Sequence, residues 1–221
     1  MSNDPVRARS QFFGGRVCLD FANTVDWRTS ASPQELIPDY ATLLSWSRMR
    51  GTLPAAAVTR LRARGMKRAA EAAAAIEDAH ALRIEIWQAA IALSRGGRAP
   101  LQPFNRRLAA LPAQPPLVRS GARYVLALPG QALDEPLWPV LWSLTALLSS
   151  EDGARVGSCR AEGCGWFFVD ESPNHSRMWC SSDVCGNRER ARRAYDKRRS
   201  APRVSCVRAN GSPIVRGASS R

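Results

Sequence analysis

Two equally spaced cysteine pairs constrain this chain more than any other feature: Cys159-x4-Cys164 and Cys180-x4-Cys185, with fifteen residues between them. A structural Zn²⁺ takes four thiolates at roughly 2.3 Å in a tetrahedron, and a short cysteine-to-cysteine turn supplies two neighbouring corners. Two such turns complete the site if the insert folds back on itself. Trp166-Phe167-Phe168-Val169 is β-prone, Asp170-Glu171-Ser172-Pro173-Asn174 carries turn chemistry, and Arg177-Met178-Trp179 returns to Cys180, which predicts a hairpin within the insert. Ser181-Ser182-Asp183 offers N-cap residues for a helix whose first turn carries Cys185, where the helix dipole favours a thiolate. The expected order is knuckle, hairpin and helix, in the manner of a treble clef, with Cys159, Cys164, Cys180 and Cys185 as Zn²⁺ ligands.

Other uses of these cysteines fit less well. Two disulfides need an oxidising compartment, and the opening MSNDPVRARSQFFGG has no apolar export segment, so a cytoplasmic protein is expected. Four unrelated core thiols rarely fall at equal spacings. His175 lies between the pairs, but four thiolates fill a tetrahedron, so it reads as a turn residue.

The second pair runs directly into a basic helix. Gly186 to Arg199 holds seven cations against two anions, in a chain whose net charge is +13. At about 100° per residue Arg188, Arg192, Tyr195 and Arg199 form one strip, and Arg190, Arg193 and Lys197 a second, with Arg198 completing the cationic set. Phosphate backbones reward such density through counterion release, and arginine reads guanine edges in a major groove. DNA is the expected partner and RNA the alternative. The competing explanation is a solvated basic face, since arginine outnumbers lysine thirty to two and part of the charge is compositional.

The segment RAEGCGWFFVDESPNHSRMWCSSDVCGNRERARR, with Cys185-Gly186-Asn187-Arg188 at its centre, resembles the CGNR zinc finger. That finger occurs in bacterial proteins regarded as stress-induced transcription regulators with an N-terminal ABATE domain. Phe13-Gly14-Gly15, Cys18-Leu19-Asp20-Phe21 and Asn23-Thr24 are similar to the start of that domain, so the resemblance spans both halves of the chain. It implies zinc coordination by the four cysteines and a DNA-binding role.

The remaining sequence predicts an α+β protein: a mostly helical N-terminal domain with a small β component over residues 1–153, the zinc module over 154–199, and a disordered tail over 200–221. The Phe12–Phe21 run suits a strand or the start of a helix, and Cys18 reads as a packed core thiol. Asp20, Asn23, Thr24 and Arg28 either line a small-ligand pocket or hydrogen-bond neighbouring backbone. Helices are expected from Ser32 towards Trp46, with Pro38 breaking or kinking it, from Pro54 to about Arg64, and from Lys67 to Ser94. On the last, Ile76, Ala79, Leu82, Ile86, Ala90 and Leu93 form the buried stripe, widened by Ile84, Trp87 and Ile91. A short element over Leu101–Leu111, a β-hairpin through Ser120-Gly121, and a helix after Asp134-Glu135-Pro136 complete this half of the chain. Glu151-Asp152-Gly153 is the expected hinge, and Cys206 in the tail has no predicted role.

No apolar run approaches the roughly eighteen residues that span a bilayer, so no membrane partner is expected. No Ser/His/Asp or Cys/His set and no phosphate-cradling loop is evident, which predicts a regulator rather than an enzyme. The N-terminal domain would then form a homodimer or bind a small-molecule effector. The alternative is an enzyme or ligand-binding protein whose zinc module is structural or contacts RNA.

Overall fold

The computed structural model describes residues 12–113, 115–120 and 122–200. The tail with Cys206 lies outside the described residues. Within them the fold is α+β and mostly helical, with three two-stranded antiparallel sheets.

The first element is a six-residue helix, α1 (Val17–Ala22), which settles the strand-or-helix ambiguity of its sequence. The Gly14 N–H donates to Asp20 Oδ1 at 2.8 Å, and a Cβ on Gly14 would lie 2.8 Å from the Asp20 nitrogen, so only glycine permits this entry turn. Cys18, Leu19, Phe21 and Ala22 are fully buried, and Asp20 among them is buried with bonds to Gly14 and Arg50. Burial pushes the Cys18 thiol up to about 12, consistent with a packed core thiol.

Val25–Asp26 (β1) pairs with Gln34–Glu35 (β2). The helix expected from Ser32 instead begins after Pro38, as α2 (Tyr40–Arg50). Proline lacks the N–H a helix needs and biases the residue before it towards extended backbone, so the stretch ahead of it is free to pair as a strand. Asp39 caps α2 by accepting from Thr42 N at 2.7 Å, and Gly51 closes it at φ 78°. Helices α3 (Ala55–Lys67) and α4 (Ala69–Ser94) come next. Ile76, Ala79, Leu82, Ile86 and Ala90 of α4 face the core, whereas Ile84 is 49% exposed and does not widen the stripe.

The short α5 (Gln102–Ala110) and the hairpin β3 (Leu117–Ser120) and β4 (Arg123–Leu126) lead to a 3₁₀ turn at Glu135–Leu137 and α6 (Trp138–Leu148). The buried Glu135 carboxylate accepts from the N–H groups of Gly130, Gln131 and Ala132, which fixes that entry. The Glu151-Asp152-Gly153 segment is a second 3₁₀ turn, in which Gly153 is buried and Asp152 pairs with Arg16 beside α1.

Strands β5 (Val156–Ser158) and β6 (Phe167–Val169) then pair antiparallel around the first cysteine turn. The hairpin of the cysteine region is therefore built with the residues before Cys159, not within the insert. The return arm of the insert is irregular and leads into a π-type turn over Ser182–Gly186 and α7 (Asn187–Ser200). No described helix is long and apolar enough to cross a membrane.

Candidate metal centre and basic helix

Strand β6 is buried on both faces, and its period of two divides its side chains between two cores. Phe167 and Val169 belong to the main core with Leu19, Phe21 and Ile86. Phe168, with Trp166 just ahead of it, packs against the four cysteines. Opposite Phe168 stands Gly157, whose absent side chain leaves room for the aromatic ring; a Cβ there would lie 2.7 Å from it.

The sequence-predicted ligands Cys159, Cys164, Cys180 and Cys185 come together, all buried, with every Sγ within 4.8 Å of the others. The Cys164–Cys180 and Cys180–Cys185 separations are 3.8 and 3.5 Å. Four thiolates at 2.3 Å from one tetrahedral ion sit about 3.8 Å apart, so the cluster has the size such an ion requires. Its electrostatics agree. Hydrogen bonds from Cys164, Cys180 and Cys185 drive the Cys159 thiol down, and its bond to Cys159 drives each of Cys164 and Cys180 up. The bond to Cys159 raises the Cys185 thiol, but those to Cys164 and Cys180 outweigh it and drive Cys185 down as well, so the cluster by itself favours two thiolates and two thiols, and a divalent cation is what lets all four ionise together.

Backbone geometry places the sulfurs. Cys159 N donates to Trp166 O at 2.7 Å and Arg160 N to Met178 O at 3.0 Å, joining the first turn to the insert's return arm. Ser181 caps the last segment by accepting from Val184 N, as its sequence predicted. His175 is exposed, at φ 46°, and serves as a turn residue away from the cysteines.

A residue missed in sequence reading organises the insert. Arg177 donates to the carbonyls of Phe13, Val169, Trp179 and Cys180, and its guanidinium lies 4.2 Å from the Phe168 ring centroid. One planar group thus satisfies carbonyls that no strand partner reaches. Only its position between turn chemistry and the second cysteine pair hinted at this.

The four polar residues for which a ligand pocket or neighbouring backbone stood as alternatives are engaged with neighbours. Asp20 accepts from Gly14 N and from Arg50 Nε at 2.7 Å; burial pushes its carboxyl up, opposed by Arg50. Asn23 makes two bonds to Phe167, donating to its carbonyl and accepting from its N–H, each at 2.8 Å. Thr24 donates to Phe21 O and accepts from the buried Arg83. Arg28 donates to Gly165 O and lies 4.5 Å from the Phe167 ring centroid. An apolar cleft of about 480 Å³ lies elsewhere, walled by Tyr40, Leu44, Gly65, Ala72 and Ile76 of α2, α3 and α4.

The cationic residues of α7 separate into two groups. Arg192 pairs with the buried Glu189 at 2.9 Å and with Glu162, and Arg188 donates to Glu162 O at 3.2 Å. Arg190 donates to Ser182 O and Asn187 Oδ1. Arg193, Lys197, Arg198 and Arg199 are exposed and form no ion pair among the described residues.

Comparison with family models gives two matches. Residues 155–198 match the CGNR zinc finger, and residues 15–151 match ABATE, described as "Putative stress-induced transcription regulator". Comparison with curated proteins returns no match.

Proposed function

The chain belongs to the ABATE family and carries its CGNR zinc finger, and from that premise we propose that it is a transcription regulator that binds duplex DNA through α7. Cys159, Cys164, Cys180 and Cys185 hold one Zn²⁺, which supplies the positive charge that four buried thiolates need. The observation that carries the DNA reading is a helix anchored at its start by Cys185 and Glu189, from which Arg193, Lys197, Arg198 and Arg199 extend exposed. Arg193 and Lys197 lie about 40° apart on the helix, one turn from each other, and suit successive phosphates along one groove edge. Of the first strip, Arg188 and Arg192 are drawn towards the cysteine turn instead, while Arg199 stays exposed.

Fluorescence anisotropy on a mixed-sequence duplex tests this. Each phosphate contact contributes about 0.9 to the slope of log affinity against log salt, so Arg193→Ala with Lys197→Ala should flatten it by about 1.8. An unchanged slope, or no binding by zinc-loaded wild type at about 50 mM salt, would remove the reading. Duplex RNA in the same titration separates the two nucleic acids: binding tighter than to DNA would make the protein an RNA-contacting one.

A further inference from the structure

Arg188 stands out among the cations of α7 because it is paired with the N-terminal unit. Its guanidinium carbon lies 4.3 Å from the centroid of the Trp27 ring, and its Nη2 donates to Glu162 O at 3.2 Å. Trp27 is itself held in place. Its backbone adopts φ 52°, a left-handed conformation unusual for a bulky residue, and its N–H donates to Asp26 Oδ1 at 2.9 Å. Its ring also covers Gly163, where a Cβ would lie 2.9 Å from Cε3. Two residues on, Thr29 N donates to Gly163 O at 3.1 Å, and a Cβ on Gly165 would meet Thr29 Cγ2 at 2.5 Å. The loop from Trp27 to Thr29 thus grips the first cysteine turn and reaches past it to the base of the helix.

We infer that Arg188 is a positioning residue that acts with Trp27 to set the angle of α7, and does not itself touch nucleic acid. The inference rests on the DNA reading for its functional consequence. Its mechanical logic comes from length. The fourteen residues of α7 extend about 21 Å, so a swing of about 20° at the base displaces the far end by about 7 Å, enough to carry Lys197 away from a phosphate. The anchors at Cys185 and Glu189 lie on the buried side, and the Trp27–Arg188 contact is a lateral restraint joining the helix to another part of the chain.

The experiment compares Trp27→Ala, Trp27→Phe, Arg188→Ala and the Trp27→Ala/Arg188→Ala double variant in the full chain, each confirmed to carry the wild-type zinc content. Trp27→Ala and Arg188→Ala should each weaken duplex binding roughly three- to tenfold, in the range of a partly desolvated cation–π contact. The double variant should be no weaker than either single one, Trp27→Phe should keep most of the affinity, and the salt slope should stay at the wild-type value. A slope about 0.9 shallower for Arg188→Ala would show a lost phosphate contact and overturn the inference, as would wild-type binding by Trp27→Ala. Should wild type fail to bind DNA at low salt, the DNA reading falls by itself. The contact is then judged by chelator-triggered zinc release. Each single variant should speed release, with strong non-additivity in the double; simple additivity would overturn the pairing.

Discussion

Chelating the metal from the full-length protein is expected to loosen the N-terminal helices as well as the cysteine module. Residues 155–198 are too few to bury a sufficient core, and metal binding in finger-sized units is worth roughly 10–16 kcal/mol, so an ion held by the four cysteines would be the module's main folding term. What spreads the effect is the double-sided strand β6. Trp166 and Phe168 pack on the sulfurs, while Phe167 and Val169, both fully buried, pack in the main core. Trp166 Nε1 also donates to Val25 O at 2.8 Å. If release of the strand removes even about 4 kcal/mol from the rest, the melting temperature of a chain this size falls by about 8–16 °C. Hydrogen exchange gives the sharper readout. The amides of Asp20, Phe21 and Ile86 should lose protection once the metal is gone. Full protection of those amides after complete metal removal would show that the helical part stands alone.

The cysteine site was legible because its information is local. Two x4 spacings, an N-cap serine at Ser181 and a β-prone run are read directly from neighbouring residues, and the four sulfurs converge as that pattern requires. The long α4 was legible through its helical period, but Ile84, at the edge of its apolar arc, is exposed. Periodicity gives an arc of apolar residues, but which edge of the arc is covered depends on neighbouring helices. The pairing of β6 was hidden for a related reason. Val156-Gly157-Ser158 carries no alternating pattern, and its role depends on a glycine facing Phe168 across the sheet. The turn chemistry at Asp170 was real, since its carboxylate accepts from Ser172 and from Arg177 N. The return arm beyond that turn is held by the Arg177 guanidinium and not by a ladder.

The basic helix shows the same division. A helical wheel yields two cationic strips of equal appearance, and sequence has no means of choosing between them. What distinguishes their members is Trp27 and Glu162, more than twenty residues away in the chain, which draw in Arg188 and Arg192. Arg193, Lys197, Arg198 and Arg199 are left facing outward.

Replacing Asn23 by alanine is expected to destabilise the protein severely. This side chain was a candidate for a ligand pocket, and the structure uses both halves of its amide on one residue, donating to Phe167 O and accepting from Phe167 N. It thereby acts as a strand partner for β6 on the side away from β5. Alanine at this position removes the donor and the acceptor together and leaves two buried backbone groups without partners, each costing about 1–3 kcal/mol. The sum, about 2–6 kcal/mol, is a large share of the roughly 5–15 kcal/mol that holds a typical domain together. Asn23→Asp discriminates the cause. It keeps the acceptor for Phe167 N but faces Phe167 O with a second oxygen, so it should also be destabilising although it differs by a single atom. Thermal unfolding of zinc-loaded variants checks both, and zinc release on chelation should accelerate in parallel, because β6 connects Asn23 to the cysteines. Wild-type melting temperatures in both variants would mean that the amide is spare for a ligand after all and that β6 is held by its hydrophobic side chains alone.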